Sequence, residues 1–350
     1  MTDSNITRIA VDAMGGDHAP EQIVAGAVAA AQKDQIKVTL VGDPIIVQSE
    51  LSKHDTAGLE IKIVPSEGAI DENEPPALAL RQKPKASIIV ANGLVKAGIV
   101  DGLVTMGSTG AAMATGAVVL GLLEGMDRPT IGGPIIGLAP KTVVVDLGAN
   151  VDCKPSQLLS FAVIGGVLAN VFWGTENPSI ALLSVGSESG KGNRQIRETT
   201  ELFNKSPVNF VGNLEANDLP LGNVDVAVTD GFSGNIIMKL TEGLGSGITE
   251  LIENKLDGKV AKSTIDDLTR EIYSLTNVVE SHGGGPLLGV KGISVIGHGR
   301  AKLDSVQRAI RTASQMSNLD FISKQEKQLQ KITPNYSVMA KLLMTLFTIY

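Results

Sequence analysis

Cysteine is nearly absent. The 350 residues contain one, Cys153, so no intrachain disulfide can form and a reducing compartment is the expected setting. Aromatic residues make up only 3%, and 30 Lys plus Arg against 37 Asp plus Glu leave a formal charge of -7. A chain this acidic, with so little stacking surface, lacks the footprint of a nucleic-acid binder, and nucleic acid is not expected as a partner. The start, MTDSNITRIA, lacks the basic and apolar regions of a secretion signal, so a cytoplasmic location is expected. Nor is there an uninterrupted apolar run of about twenty residues, the length a membrane-crossing helix needs. The stretch 108–123, STGAAMATGAVVLGLL, is rich in small residues and suits a close-packed buried helix. The tail Ser337 to Tyr350, SVMAKLLMTLFTIY, is too short to span; it reads as a segment docked on its own core or on a second subunit, with membrane-surface or partner contact as the alternative.

What is present is an ordinary globular composition, 43% hydrophobic and 19% charged, able to bury a sizeable core. Short β-branched runs alternate with longer helix-like stretches, the pattern of a parallel sheet covered on both faces. Strands are predicted at 6–12, 36–42, 59–64, 102–106, 142–146, 179–185, 224–230 and 292–297. Their nearly continuous apolar character fits burial on both faces. Helices are predicted for Glu21 to Gln32, Thr109 to Leu123, Ser156 to Phe172, Asn193 to Phe203 and Arg300 to about Gln330. Without a repeat or low-complexity linker, residues 1–335 read as one bilobed α/β unit followed by the apolar tail 336–350. Residues 241–280 read as two helices around Asp257-Gly258, an excursion from the sheet.

The glycines cluster after the strands, in the turns Asp12 to His18, Gly107 to Gly110, Asp146 to Asn150, Gly186 to Asn193, Asp230 to Asn235 and Gly297 to Arg300. Ligands of open α/β sheets bind at the carboxyl ends of strands, so these turns are expected to converge on one crevice. Glycine lets backbone approach a ligand closely, and the first N–H groups of a following helix can hold an anion such as phosphate. Ser108 and Thr109 can cap their helix or bond such an anion, while Lys191 and Arg194 supply positive charge. The Gly186 to Gly192 segment is not a Walker motif, because its spacing is too short and Gly192 stands where the Ser or Thr belongs. His282-Gly283-Gly284-Gly285 has no G-x-S-x-G elbow to serve, and no dinucleotide fingerprint or close-spaced Cys and His ligand set occurs.

Asp12, Asp17, Asp146, Glu188 and Asp230 at the turns complicate an anion site. Either they accept backbone N–H bonds and fix the turns, or some orient Lys191, Arg194 or His298 or bind a divalent metal. His54 reads as a surface residue. Of His18 and His298, both on glycine turns, His298 is preferred as proton-transfer group or phosphate donor.

The segments DAMGGDHAPE (12–21), GSTGA (107–111), DLGANVDCKP (146–155), SVGSESGKGN (184–193), DGFSGN (230–235) and HG (298–299) together resemble, from about residue 7 to 320, the phosphate acyltransferases of bacterial phospholipid synthesis, the PlsX family. That resemblance implies transfer of a long acyl chain from acyl carrier protein to inorganic phosphate, and an acyl phosphate product used for glycerol-3-phosphate acylation. It also implies a three-layer bilobed α/β fold with a mainly parallel sheet, like isocitrate and isopropylmalate dehydrogenases, a homodimer, and peripheral contact with the inner membrane. Partners would be the carrier, phosphate and the membrane glycerol-3-phosphate acyltransferase. His282 to Gly285 departs from the family pattern, and charges across 241–280 weaken a membrane role for that stretch.

Phosphate is a competent nucleophile and thiolate a good leaving group, so the reaction needs no covalent intermediate, no cofactor and no metal, and Cys153 need not be catalytic. The protein must position the phosphate and stabilise the oxyanion. The phosphate cradle is assigned to Ser108, Thr109 and Gly110 with Gly190, Lys191, Gly192, Asn193 and Arg194; Asn150, Asn235 and His298 are candidates for holding carbonyl or phosphate oxygens. Lys239, Lys255, Lys259, Lys262 and Arg270 either receive the acidic carrier or form a solvated helix face. The competing readings are a metal-dependent decarboxylating dehydrogenase of the related fold and a non-enzymatic membrane scaffold.

Overall fold

The computed structural model describes residues 6–332, so the tail Ser337 to Tyr350 lies outside the described residues. Its strands are β1 (Arg8–Asp12), β2 (Lys37–Gly42), β3 (Ile61–Pro65), β4 (Gly102–Thr105), β5 (Thr130–Gly133), β6 (Val143–Val145), β7 (Ile180–Leu183), β8 (Phe210–Leu214), β9 (Val226–Val228), β10 (Gly285–Leu288) and β11 (Ile293–Ile296). The helices are α1 (Glu21–Asp34), α2 (Pro44–Leu51), α3 (Pro76–Gln82), α4 (Ser87–Lys96), α5 (Thr109–Thr115), α6 (Pro155–Trp173), α7 (Arg194–Asn204), α8 (Gly231–Leu256), α9 (Lys262–Thr276), α10 (Val278–Ser281), α11 (Leu303–Asn318) and α12 (Phe321–Leu329).

All strands join one 11-stranded sheet in the order β3-β2-β1-β4-β11-β10-β5-β6-β9-β7-β8. The outer groups are parallel, β3 to β11 on one side and β6 to β8 on the other. Between them lie three antiparallel pairings, β11 with β10, β10 with β5, and β5 with β6. An odd number of reversals makes the two halves run in opposite senses. Strands such as Val143–Val145 and Val226–Val228 are buried on both faces, which their unbroken apolar sequence requires. The largest core cluster joins α1, α11, α12 and α6 along one face of both half-sheets. On the opposite face α4 and α5 cover the first half, and α8 packs over Val144 and Ala227 of the second. The architecture is thus the expected three-layer α/β fold.

Three strands escape sequence pattern: TIGG, FVGNL and GPLL. Each contains glycine or proline, and tertiary pairing makes it a strand in spite of that composition. The helix predicted from Arg300 to Gln330 is interrupted between α11 and α12, where Asp320 takes a left-handed conformation with φ 52. The stretch at 109–123 winds more widely after α5, over Gly116–Leu120, and ends at Gly121. The break at Asp257-Gly258 does separate two helices, but the first begins well before 241, at Gly231. Helix α6 is long and apolar enough to cross a membrane by length and composition, and most of it is buried in the protein core.

The N-terminus of α8 is pressed onto the turn after β6. The Gly231 N–H donates to Asn150 O at 2.7 Å, and a Cβ on Gly234 would stand 1.9 Å from Asp146 O. Only glycine permits this approach. Gly234→Ala is expected to destabilise the fold by about 3 kcal/mol through overpacking. Gly93→Ala, inside α4 with nothing within 4 Å of its Cβ, is expected instead to stabilise by about 0.5 kcal/mol. Urea unfolding of the two variants measures both signs.

Candidate active site

Strands β5 and β10 pair with each other only through Thr130–Leu288 and Ile131–Leu287. Beyond those pairs they part. Gly132 and Gly133 go on to pair with β6, while Gly285 and Pro286 pair with β11. The sheet therefore forks, and a cavity of about 590 Å³ occupies the fork. Its volume falls within the range of small-molecule sites. Its walls are largely apolar, with Ile131, Pro134, Leu147, Phe232 and Ile296 among them.

The turns that reach the cavity follow the two strands nearest the fork on each side. From one half come Thr109 after β4 and Gly297 with His298 after β11; from the other come Gly148 after β6 and Gly231 to Asn235 after β9. The expected convergence of all the glycine turns at a single sheet end is therefore corrected: the half-sheets run oppositely, and the four inner turns meet across the fork. The turn after β7 lies two strands beyond β6, about 10 Å farther at ordinary strand spacing. Accordingly Gly190, Lys191, Gly192, Asn193 and Arg194 do not line the cavity. Asn193 caps α7 through its Oδ1, which accepts the Ile196 N–H at 2.9 Å. Lys191 is exposed, and exposed Arg194 pairs with Glu198 at 2.6 Å. The turn after β1 likewise stays outside, bracing its neighbour through an Asp17 N–H that donates to Gly299 O at 2.8 Å.

The strand-end carboxylates fix turns. Asp146 Oδ1 accepts the N–H groups of Gly148 and Ala149 at 3.0 and 2.9 Å. Its Oδ2 accepts from Asn150 Nδ2 at 2.7 Å. Asp12 accepts from Thr105 Oγ1 at 2.8 Å and from the Met14 N–H at 3.2 Å, and Asp230 caps α8 by accepting the Ser233 N–H at 2.8 Å. Burial pushes the Asp12 and Asp146 carboxyls above the usual carboxylate range. Asn150 is also structural: it is buried, and its amide bridges Asp146 and Pro129 O, the latter at 2.9 Å. Ser108 caps α5, accepting the Ala111 N–H at 3.3 Å, and Gly110 keeps clear of Pro76, which a Cβ would meet at 3.0 Å.

Thr109, Asn235 and His298 remain as sequence-predicted residues that line the cavity, and Lys239 joins them. Lys239 lies four residues after Asn235 on α8, so both occupy one helix face; that spacing was visible in the sequence, whereas the cavity it faces was not. Lys239 Nζ pairs with Glu242 Oε2 at 2.9 Å. His298 Nε2 is buried without a hydrogen-bond partner; Glu242 Oε1, at 3.9 Å, is beyond bonding reach. Burial, followed by the charge of Lys239, lowers the His298 pKa, so its imidazole is neutral at pH 7. His282 also lines the cavity, its Nδ1 held 2.8 Å from Val278 O. Cys153 stands outside it, its thiol pushed up to about 12 by burial and the nearby Asp146 and Asp230, which makes it a poor nucleophile at neutral pH. Among the described residues no three His, Cys, Asp or Glu side chains form a metal-ligand group.

The site therefore offers the N-terminus of α5 at Thr109, with an amide, an ammonium and a neutral imidazole, beside an apolar space. This arrangement suits an anion reacting with an apolar group.

Known proteins agree with that chemistry. A family model described as "Fatty acid synthesis protein" matches residues 7–324. A phosphate acyltransferase of Acaryochloris marina is 43% identical over 318 residues, covering 89% of this chain and 92% of its own. Among solved structures, a phosphotransacetylase of Streptococcus pyogenes superposes with TM-score 0.59 at 18% identity, over 89% of this chain and 94% of the other. A 4-hydroxythreonine-4-phosphate dehydrogenase of Klebsiella pneumoniae gives 0.55 at 16% identity, over 89% and 99%. These two likenesses show the fold, shared between acyl-transferring and dehydrogenase enzymes. The extent and identity of the sequence match show that the chain belongs to the phosphate acyltransferase family of fatty acid and phospholipid synthesis and is an acyltransferase.

Proposed function

We propose that the chain transfers a long fatty acyl group, reversibly, from the thioester of acyl carrier protein to inorganic phosphate, giving acyl phosphate for phosphatidic acid synthesis. The observation that carries this reading is the buried, unpartnered His298 Nε2 beside Lys239 and Asn235 at the polar end of an apolar cavity. A buried polar atom without a partner is rare in native structures and calls for an explanation; a substrate oxygen supplies one.

The N-terminus of α5, Lys239 and Asn235 hold the phosphate and aim one oxygen at the thioester carbon. That oxygen attacks, the carbonyl oxygen takes up negative charge, and neutral His298 donates a hydrogen bond to it from Nε2. Collapse breaks the carbon–sulfur bond, and the carrier thiolate leaves and takes a proton from solvent. Apolar walls limit access of water, which would otherwise hydrolyse the product. The reaction uses no step at Cys153.

Helix α8 also supports a homodimer. Phe232, Ile236, Leu240, Leu244, Ile248 and Leu251 are all exposed along it, at helical spacing, and Gly243 and Gly247 leave open surface beside them. A second copy pairing along this stripe would cover an apolar surface that monomeric proteins rarely present. The product carries a water-insoluble chain, which favours action at the inner face of the cytoplasmic membrane, beside the glycerol-3-phosphate acyltransferase that consumes it. Lys255, Lys259, Lys262 and Arg270 are exposed on the α8–α9 excursion, where an acidic carrier can be received.

With purified protein, palmitoyl carrier protein and labelled phosphate, labelled acyl phosphate is expected, and its absence from folded protein overturns the proposal. Lys239→Ala is expected to raise KM for phosphate by about tenfold, whereas Lys191→Ala, outside the cavity, tests the alternative cradle. The lowered His298 pKa means that the unfolded state binds more protons between the folded value and the unfolded value of about 6.5. Stability at this site is therefore lost as pH falls through about 6.5, and His298→Asn should flatten that part of a Tm-against-pH curve. Leu244→Glu, which puts charge into the α8 stripe, is expected to halve the mass measured by light scattering.

A further inference from the structure

The cavity continues well past the polar groups. On the far side of the fork it is lined by Leu168, Phe172 and Trp173, from the last turns of α6. Gly148 and Val151, just ahead of that helix, also line it. The α6 side chains that line it lie within the last two turns of the helix, about 8 Å of helix axis at the ordinary rise per residue. Glycine forms the passage between the two sides. Gly132 is tightly hemmed in: a Cβ there would stand 3.0 Å from Val144 O and from Val145 Cβ. Gly133 is different: it is buried, has no heavy atom within 4 Å of its Cβ position, and lines the cavity. A buried backbone position facing empty space inside a close-packed protein is unusual.

We infer that the acyl chain threads the fork between β5 and β10, passing Gly133 and ending against Phe172 and Trp173, so that Gly133 determines whether long chains are accepted. The inference rests on the acyl-transfer reading, which places the thioester carbonyl beside His298 and Asn235. From that point the apolar channel through the fork leads the chain away from the phosphate. Shape selects here: Ile131, Pro134 and Leu147 give the cavity apolar walls, Thr312 and Gln315 being polar members of its lining, and a longer chain gains by filling more of the space.

Trp173 is the only tryptophan in the chain and reports occupancy directly. Stearic acid brominated at mid-chain quenches indole fluorescence on contact. Titration of the wild-type protein is expected to quench Trp173 saturably, with recovery when unlabelled palmitate is added. Gly133→Val is expected to weaken that quenching titration by about tenfold or more and to lower the palmitoyl-to-butyryl ratio of kcat/KM with carrier-protein donors by a similar factor. If Gly133→Val does not fold, Gly133→Ala, which fills less space, is expected to shift both readouts in the same direction by about threefold. No quenching in folded wild-type protein overturns the path. So does quenching that is equal in wild type and in the folded variant, because the fatty chain then lies on the surface. Quenching requires no turnover, so a protein that binds the chain through Gly133 yet makes no acyl phosphate would keep the path and lose the proposed reaction.

Discussion

Two residue pairs hold the halves of this molecule together as one sheet. Thr130–Leu288 and Ile131–Leu287 are the whole of the pairing between β5 and β10, and on either side of them each strand turns to a different partner. Backbone N–H and C=O groups that are buried must be paired, so a strand that leaves one neighbour has to find another. The result is a split in the sheet, with β6 and β11 paired on the outer sides of its two strands. The split spans only Gly132 and Gly133 on one strand and Gly285 and Pro286 on the other, so few backbone groups face the apolar space.

The same constraint selects the site residues. Because the half-sheets run in opposite senses, the ends of β4 and β11 meet those of β6 and β9 only at the split. Their turns are held rigidly from behind. Asp146 gathers the turn after β6, Asn150 ties it to the strand region at Pro129, and Gly231 and Gly234 let α8 sit directly on it. The side chains that reach the cavity, Asn235 and Lys239, are carried on that seated helix. Carboxylates at the strand ends therefore serve the scaffold, accepting the N–H groups of their own turns.

Helix α8 links chemistry with assembly. One face presents Asn235 and Lys239 to the cavity, and another carries the exposed apolar stripe from Phe232 to Leu251. Phe232 belongs to both. A partner seated along the stripe would stiffen the helix that carries Asn235 and Lys239, which would couple the proposed dimer to the geometry of the site.

Much of the fold was legible in the amino-acid sequence. Unbroken β-branched runs marked the parallel strands, and glycine after a strand marked the turns, because burial on both faces and tight strand-to-helix turns impose those residue types locally. The family was legible for the same reason, since its turns are short and contiguous. Thr109, Asn235 and His298 were legible as site residues, each on such a turn. Lys239 was not singled out for the site, and Lys191 was, because a turn's composition says nothing about which strand stands next to which. That order is set by pairing between distant segments, and it was tertiary pairing that made strands of TIGG and GPLL against their local composition. Only the folded sheet, through the split those two strands create, decided which turns face one another and that Gly133 opens onto empty space.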